Sequence, residues 1–205
     1  MTTANATPLP PLVAILRGLQ PERAAAVGRV LFDSGFRGLE VPLNRPGALA
    51  AIATLAAMAP PGALVGAGTV LDAADVDAVA QAGGRLIVSP HFDAAVVTRA
   101  VERGLIAAPG IFTPSEAFAA LRAGAQVLKL FPAEASSPAA LRALLTVLPR
   151  GTPVWPVGGI EPRHLGAWRA AGATGFGIGG ALFKPEFELD EIAARSRAFM
   201  AAWNA

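Results

Sequence analysis

Short apolar runs alternate with longer, amphipathic, alanine-rich stretches along the whole chain. Eight of the runs have the length of a strand, and each is followed by a helical pattern of apolar positions. The runs are apolar at successive positions, which is typical of parallel strands covered by helices. They are residues 12–16, 38–41, 64–67, 86–89, 105–108, 126–130, 154–157 and 175–178. The pattern therefore predicts eight repeated β/α units.

The predicted helices begin and end at recognisable residues. Pro21 and Pro114 each begin a helical stretch close to an acidic residue. Proline lacks an N–H, but the N–H groups of a first helical turn have no partner within the helix, and the helix dipole favours negative charge there. A glycine just past a helix can take the left-handed conformation and turn the chain into the next strand. Five units end in this way, at Gly35, Gly83, Gly104, Gly124 and Gly172. This recurrence favours a closed (β/α)8 barrel over an open doubly wound sheet, which is the architectural alternative.

Composition agrees with one such barrel. The chain has 205 residues, at the short end of the range for this fold, and 53% of them are hydrophobic, enough for a large core. No linker, charge block or change of composition divides the sequence. We therefore expect residues 1–205 to form a single α/β domain with the TIM-barrel architecture.

Charge and chain features argue against several classes of partner. The formal net charge is only +2, and the 15 arginines are dispersed, so neither nucleic acid nor a membrane surface is expected to bind. Cysteine is absent, which excludes disulfides and thiolate nucleophiles. The first residues do not resemble a signal peptide, and no apolar run is long enough to span a bilayer. We expect a cytoplasmic protein with a small-molecule ligand.

Two charged residues lie inside predicted strands, where a charge is costly to bury. Lys129 is one of two lysines; the other, Lys184, lies in a loop where we expect it to be solvated. Burial lowers the pKa of a lysine, and a neutral amine can form a Schiff base. Glu40 is the only acid within a predicted strand, and burial would raise its pKa towards neutrality, as general acid–base catalysis requires. Position alone leaves structural roles open: a solvent-facing Lys129, and an ion pair between Glu40 and Arg17.

Further candidates follow predicted strands at their carboxyl ends, where barrel enzymes hold their sites. Arg17 ends the first strand, and its planar guanidinium matches a substrate carboxylate, although it can equally hold Glu40. Glycine pairs follow the seventh and eighth strands, in the loops whose backbone N–H groups often bind phosphate in barrels. These glycines are Gly158, Gly159, Gly179 and Gly180. The sequence therefore predicts a phosphate site at these two loops.

The two histidines give no sign of a metal site. His91 and His164 lack the spacing of metal ligands and have no acidic cluster beside them. His91 follows the fourth strand and is a candidate for the mouth of the barrel, whereas His164 is expected at an exposed helix start. We expect no metal.

Five motifs together resemble the 2-keto-3-deoxy-6-phosphogluconate (KDPG/KHG) class I aldolase family, which includes the phosphogalactonate aldolases, along nearly the full chain. They are Ile15-Leu16-Arg17-Gly18, Leu39-Glu40-Val41-Pro42-Leu43-Asn44, Gly66-Ala67-Gly68-Thr69-Val70, Lys129-Leu130-Phe131-Pro132 and Val157-Gly158-Gly159-Ile160. In this order and at these spacings the set is highly specific, although any single motif would not be.

The resemblance implies roles for these residues. Lys129 corresponds to the Schiff-base lysine and Glu40 to the general acid/base, while Arg17 and Thr69 correspond to positions around the keto-acid end of the substrate. The four loop glycines correspond to the phosphate cradle. The resemblance also implies a 2-keto-3-deoxy sugar-acid 6-phosphate as substrate, pyruvate as a product, no metal or organic cofactor, and a homotrimer in the cytoplasm.

Within the family, Val157 and Asn44 look like the phosphogalactonate branch. A valine cannot donate a hydrogen bond to a C4 hydroxyl, so Val157 is expected to contact the substrate differently from the threonine usual in phosphogluconate enzymes. Residues 131–134 look more like the phosphogluconate branch, and Gly180 stands where many relatives carry serine. We therefore expect the phosphogalactonate substrate, with its C4 epimer as the main rival. The sequence also leaves open a phosphosugar isomerase or epimerase and a non-catalytic phosphosugar-binding barrel.

Overall fold

The computed structural model describes residues 9–205, in which strands and helices alternate. The strands in this range are β1 (Leu12–Ile15), β2 (Gly38–Pro42), β3 (Leu64–Gly68), β4 (Leu86–Val88), β5 (Ile106–Ala108), β6 (Gly110–Ile111), β7 (Leu128–Leu130), β8 (Val154–Pro156) and β9 (Phe176–Ile178). The α-helices are α1 (Pro21–Asp33), α2 (Ala48–Ala57), α3 (Ala73–Gln81), α4 (Ala94–Glu102), α5 (Pro114–Arg122), α6 (Pro138–Leu145), α7 (Leu165–Ala170) and α8 (Leu189–Asn204). Each of the eight predicted strand runs overlaps an observed strand.

The strands pair in parallel and close into a ring. One sheet has the order β5-β4-β3-β2-β1-β9, and the other has the order β6-β7-β8. A parallel bridge between Val157 and Gly177 connects the end of β8 to β9. β6 follows β5 directly after Pro109, so these two short strands are halves of the fifth barrel strand. The predicted closed (β/α)8 barrel is therefore confirmed.

Helix ends lie where the sequence predicts them. α1 begins at Pro21 and α5 at Pro114. Thr113 and Glu116 form a capping box before α5, in which the Glu116 N–H donates to the Thr113 hydroxyl at 3.3 Å and the Thr113 N–H donates to the Glu116 carboxylate at 2.7 Å. The five glycines predicted to follow helices all have positive φ, between 69° and 110°. Local turn chemistry thus fixes where each β/α unit begins and ends.

Side chains of the strands alternate between the barrel interior and the layer beneath the helices. On β1, Leu12 and Ala14 belong to the large core shared with the helices, whereas Val13 belongs to a smaller cluster inside the barrel. The same alternation turns the side chain of residue 40 on β2 and residue 129 on β7 inward. Among residues 9–205, no helix has the length and apolar character needed to cross a membrane.

Candidate active site

A cavity of about 650 Å³ opens at the carboxyl ends of the strands. Its walls come from β1, β2 and β7 and from the segments that follow β1, β3, β4, β7, β8 and β9. All nine residues predicted for the site line this one cavity: Arg17, Glu40, Thr69, Lys129, Val157, Gly158, Gly159, Gly179 and Gly180. Barrel closure therefore brings together residues that are up to 163 positions apart in the sequence (17 to 180). Their chemical roles stay predictions.

Lys129 is buried at the inner end of the cavity. Its two neighbours on β7 face the outer core, so its side chain points into the barrel, where it is only 7% exposed. The Nζ atom lies 4.6 Å from the centroid of the Phe131 ring. Burial lowers the pKa of Lys129, the Glu40 carboxylate acts in the opposite direction, and the Arg17 charge adds to the lowering. A lowered pKa raises the fraction of neutral amine, which is the nucleophilic form.

Glu40 is buried across the interior on β2 and is 2% exposed. Burial raises the pKa of Glu40 to about 7, although the charges of Lys129 and Arg17 lower it. Its Oε2 atom has no hydrogen-bond partner among residues 9–205. Gly68 on β3 leaves the room for this carboxyl group, because a β-carbon at that position would collide with it. A carboxyl group that titrates near neutrality and lines the cavity can both accept and donate a proton.

Arg17 lies at the rim, directly beyond β1. Its Nη1 donates to the side-chain oxygen of Asn44 at 3.3 Å. In the described part of the chain, no ion pair joins Glu40 to Arg17 or to Lys129. The ion pair considered from the sequence does not form, and Arg17 retains other N–H donors for an anionic group in the cavity.

Thr69 lies in a strained conformation beside the cavity. Its φ is +54°, and within residues 9–205 it is the only residue other than glycine with a positive φ. A β-branched residue is unfavourable in this region, at a cost of about 1–3 kcal/mol. Strain of this kind concentrates at functional sites, where the surrounding structure enforces it. The strain is an independent observation that favours a ligand-binding role for Thr69.

The two glycine loops form the outer end of the cavity. Gly158 and Gly159 have φ values of +110° and +62°, which favour glycine. A β-carbon on Gly158 would also collide with the carboxylate of Glu134. At Gly179, by contrast, nothing lies within 4 Å of the position of a β-carbon. The first loop is therefore fixed by conformation and packing, while the second leaves open space for a ligand.

Sequence reasoning missed several residues of the cavity wall. Lys184 was expected to be solvated, and although it is exposed it also lines the cavity. Its position four residues after Gly180 is a signal that the sequence does contain. Pro90 lines the cavity where His91 was the candidate, and the side chain of His91 is exposed and not part of the wall. Phe131 also lines the wall and contacts Lys129.

The described residues contain no cluster of three or more His, Cys, Asp or Glu side chains able to hold a metal ion. His164 lies at the end of a short 3₁₀ helix, Pro162–His164, immediately before α7. Its Nδ1 accepts a hydrogen bond from the Glu161 N–H at 3.1 Å. His164 therefore lies at a helix start, as predicted, but it is half-buried rather than exposed.

Comparison with known proteins finds close similarity over nearly the whole chain. A family model described as KDPG and KHG aldolase matches residues 5–194. A protein of Rhizobium meliloti named probable 2-dehydro-3-deoxy-6-phosphogalactonate aldolase is 44% identical over 202 residues, which are 97% of this chain and 95% of the relative. The 2-dehydro-3-deoxy-6-phosphogalactonate aldolase of Escherichia coli is 42% identical over 194 residues, 95% of each chain. A solved structure described as native KDPGal has a TM-score of 0.92 at 42% identity and covers 95% of this chain and 94% of its own.

Proposed function

The chain belongs to the KDPG and KHG aldolase family, and we propose that it cleaves 2-dehydro-3-deoxy-6-phosphogalactonate to pyruvate and D-glyceraldehyde 3-phosphate. The observation that carries this proposal is the pair Lys129 and Glu40. Both side chains are buried and line the same cavity, and burial lowers the pKa of the lysine and raises that of the glutamic acid. Relatives at 44% and 42% identity bear the name of this activity.

Lys129 is the proposed nucleophile. Its neutral amine attacks the C2 ketone of the substrate, and the resulting carbinolamine takes up one proton and loses water to give a positively charged iminium. When the C3–C4 bond breaks, the electron pair moves towards the iminium nitrogen, which leaves a neutral enamine of pyruvate. The bond cleavage thus avoids a free carbanion at C3.

Glu40 is the proposed proton carrier, either directly or through a water. Its carboxylate takes the C4 hydroxyl proton as C4 becomes the aldehyde carbon of glyceraldehyde 3-phosphate. The same proton then goes to C3 of the enamine, which restores the iminium, and addition of water releases pyruvate, the free amine and one proton. A pKa of about 7 suits both steps, because the group then accepts and gives a proton at little cost near neutral pH.

The other lining residues orient the substrate in this proposal. Arg17 and Thr69 bind the carboxylate of the keto acid beside Lys129. Backbone N–H groups of the two glycine loops bind the phosphate at the opposite end, with Val157 facing the C4 region between them. The chemistry needs no metal or organic cofactor, because the imine itself serves as the electron sink.

The test is release of pyruvate from the two C4-epimeric 6-phosphates, measured as kcat/KM with purified protein. We expect the galacto epimer to be preferred, because Val157 has no hydrogen-bond donor for the C4 hydroxyl. The gluco epimer is the second candidate substrate, favoured by Phe131-Pro132-Ala133-Glu134 in the sequence. A gluco preference would correct the substrate, and no release from either epimer would exclude the aldolase reaction.

We also propose a homotrimer that acts in the cytoplasm as one domain per chain, on the basis of the family resemblance. An apolar groove of about 410 Å³ outside the cavity supports self-association. Phe112 and Val147 line it and are 46% and 55% exposed, and exposed apolar surface of this kind often belongs to protein interfaces. Light scattering after size-exclusion chromatography should give three times the chain mass, and the mass of one chain would contradict the trimer.

A further inference from the structure

The phosphate end of the cavity contains few groups that can compensate a negative charge. The loop segments 157–160 and 177–183 consist of Val, Gly, Ile, Ala, Leu and Phe, so none of their side chains can donate a hydrogen bond. Glu161 lines this end, and its charge is paired with Arg163 at 2.8 Å. The cationic side chains that line the cavity are Arg17, Lys129 and Lys184. Arg17 and Lys129 interact electrostatically with Glu40 at the inner end of the cavity. Lys184 is therefore the lining cation that remains for the outer end.

Lys184 lies directly above the second glycine loop. Its Cε atom is 4.0 Å from the position that a β-carbon on Gly180 would take, and no other atom lies within 4 Å of that position. Its Nζ lies 5.5 Å from the centroid of the Phe187 ring. Among residues 9–205, no carboxylate forms an ion pair with this ammonium group. The ammonium group therefore has no carboxylate partner, and the side chain that carries it lines the cavity beside the backbone predicted to hold phosphate.

The segment that carries Lys184 is fastened to the barrel. The guanidinium of Arg23, on α1, donates hydrogen bonds to the carbonyl oxygens of Pro185 and Phe187, the latter at 2.7 Å. The Phe187 N–H donates to the Lys184 carbonyl at 3.0 Å and closes a turn. Pro185 also packs against Gly18, where a β-carbon would lie 3.0 Å from its ring. These contacts hold the backbone of Lys184 at the rim. The entropy cost of ordering this segment when a ligand binds is therefore small.

We propose that Lys184 binds the phosphate group of the substrate and supplies the positive charge that the glycine loops lack. A phosphate monoester carries a charge of about −1.5 to −2 near neutral pH, and neutral N–H donors leave most of it uncompensated. With Arg17 at the carboxylate end and Lys184 at the phosphate end, the cavity offers one cation to each anionic group of the substrate. The proposal rests on the proposed function, since it assigns Lys184 to the phosphate end of that substrate.

Steady-state kinetics of charge-removing and charge-keeping variants test this role. Lys184→Ala and Lys184→Gln are expected to raise KM for the 6-phosphate about tenfold with kcat within about twofold, because a charged hydrogen bond is lost in the ground and transition states alike. Lys184→Arg should retain most of the affinity. Reductive trapping of pyruvate should proceed as in the wild-type protein, because pyruvate has no phosphate. Arg150→Ala is the matched control, as it removes an exposed positive charge before β8, at the opposite end of the barrel.

The outcomes separate Lys184 from the aldolase proposal itself. A KM for the 6-phosphate within twofold of wild type in Lys184→Ala overturns the role of Lys184, and so does an equal loss of pyruvate trapping. If the wild-type protein cleaves neither epimer, the proposed function fails. Calorimetric titration with inorganic phosphate then tests whether Lys184 binds phosphate. Several-fold weaker binding in Lys184→Ala, with unchanged binding in Arg150→Ala, supports the role. Equal binding in wild type and Lys184→Ala, or none in either, overturns it.

Discussion

The inner and outer ends of the cavity are built in opposite ways. At the inner end, Lys129 and Glu40 come from the middle of strands, are almost fully buried and have pKa values that burial moves towards neutrality. At the outer end, the wall is the backbone of two glycine loops, with the exposed side chain of Lys184 above it. Burial changes what a side chain can do chemically, whereas an open loop offers donors that only bind. The inner end should therefore determine kcat and the outer end KM.

The largest effect should follow removal of the amine at the inner end. Lys129→Met keeps an unbranched side chain but has no nucleophile, so pyruvate release should fall by at least about 10⁴-fold in kcat/KM. The free energy of unfolding should stay equal or rise by about 1 kcal/mol, because a poorly solvated cation is lost. A coupled assay for pyruvate and denaturant unfolding measure the two quantities. Residual activity within a hundredfold of wild type would show that the nucleophile is another group.

Glu40→Gln should have the next largest effect. Glutamine fills the same space beside Gly68 but cannot exchange a proton, so kcat should fall by about 10²–10³-fold while KM for the 6-phosphate changes little. In the wild-type protein, kcat/KM should rise with pH through about 7 as Glu40 becomes the base, and the variant should lack this inflection. A kcat close to that of wild type, with the same pH profile, would remove Glu40 from the mechanism.

Glu40 should also make stability depend on pH. Burial raises its pKa from 4.5 to about 7 in the folded chain, so the folded state binds this proton more tightly than the unfolded state does. The corresponding contribution is fully present below pH 4.5 and is lost as the pH rises through 7. Denaturant unfolding between pH 4.5 and 8 should show this decline for wild type and a flatter profile for Glu40→Gln. Identical profiles for the two proteins would contradict the raised pKa.

A smaller effect, confined to binding, should follow a change in the first glycine loop. In Gly158→Ala the φ of +110° is strained, and the new β-carbon meets the Glu134 carboxylate, so that side chain or the loop has to shift. We expect KM for the 6-phosphate to rise about tenfold, kcat to change less and stability to fall by more than about 1 kcal/mol. Gly166→Ala on α7 is the control, because nothing lies within 4 Å of its β-carbon and helical alanine is favourable. A loss in kcat with unchanged KM would contradict the assignment of kcat to the inner end of the cavity and KM to the outer end.

Much of the fold was predictable because its signals are local. Apolar runs, proline starts and glycine ends each depend on a few neighbouring residues. Lys129 and Glu40 were identifiable for the same reason, as single charges within apolar strands. The sixth predicted run begins too early, at residue 126: β7 starts at Leu128, and the Gln126 side chain instead accepts a hydrogen bond from the Ala107 N–H at 2.8 Å. The interruption of the fifth strand at Pro109 was also missed.

The features that the sequence did not reveal depend on closure of the barrel. The strain at Thr69 comes from the path of the chain after β3, which no propensity encodes. Lys184 lines the cavity because Arg23, more than 160 positions earlier, binds the turn that follows it. The contact of Arg17 with Asn44 likewise requires β1 and β2 to be adjacent. That residues 1–205 form one domain stays a prediction.

The amine of Lys129 is expected to form the covalent intermediate, and reductive trapping detects that bond itself. The protein is incubated with pyruvate and sodium borohydride, digested and analysed by mass spectrometry, with Lys129→Met and a sample without pyruvate as controls. We predict that the peptide containing Lys129 carries a reduced pyruvate adduct and that Lys184, the other lysine, carries none. An adduct on Lys184 or on another amine, or no adduct under conditions in which the protein releases pyruvate, would contradict the account.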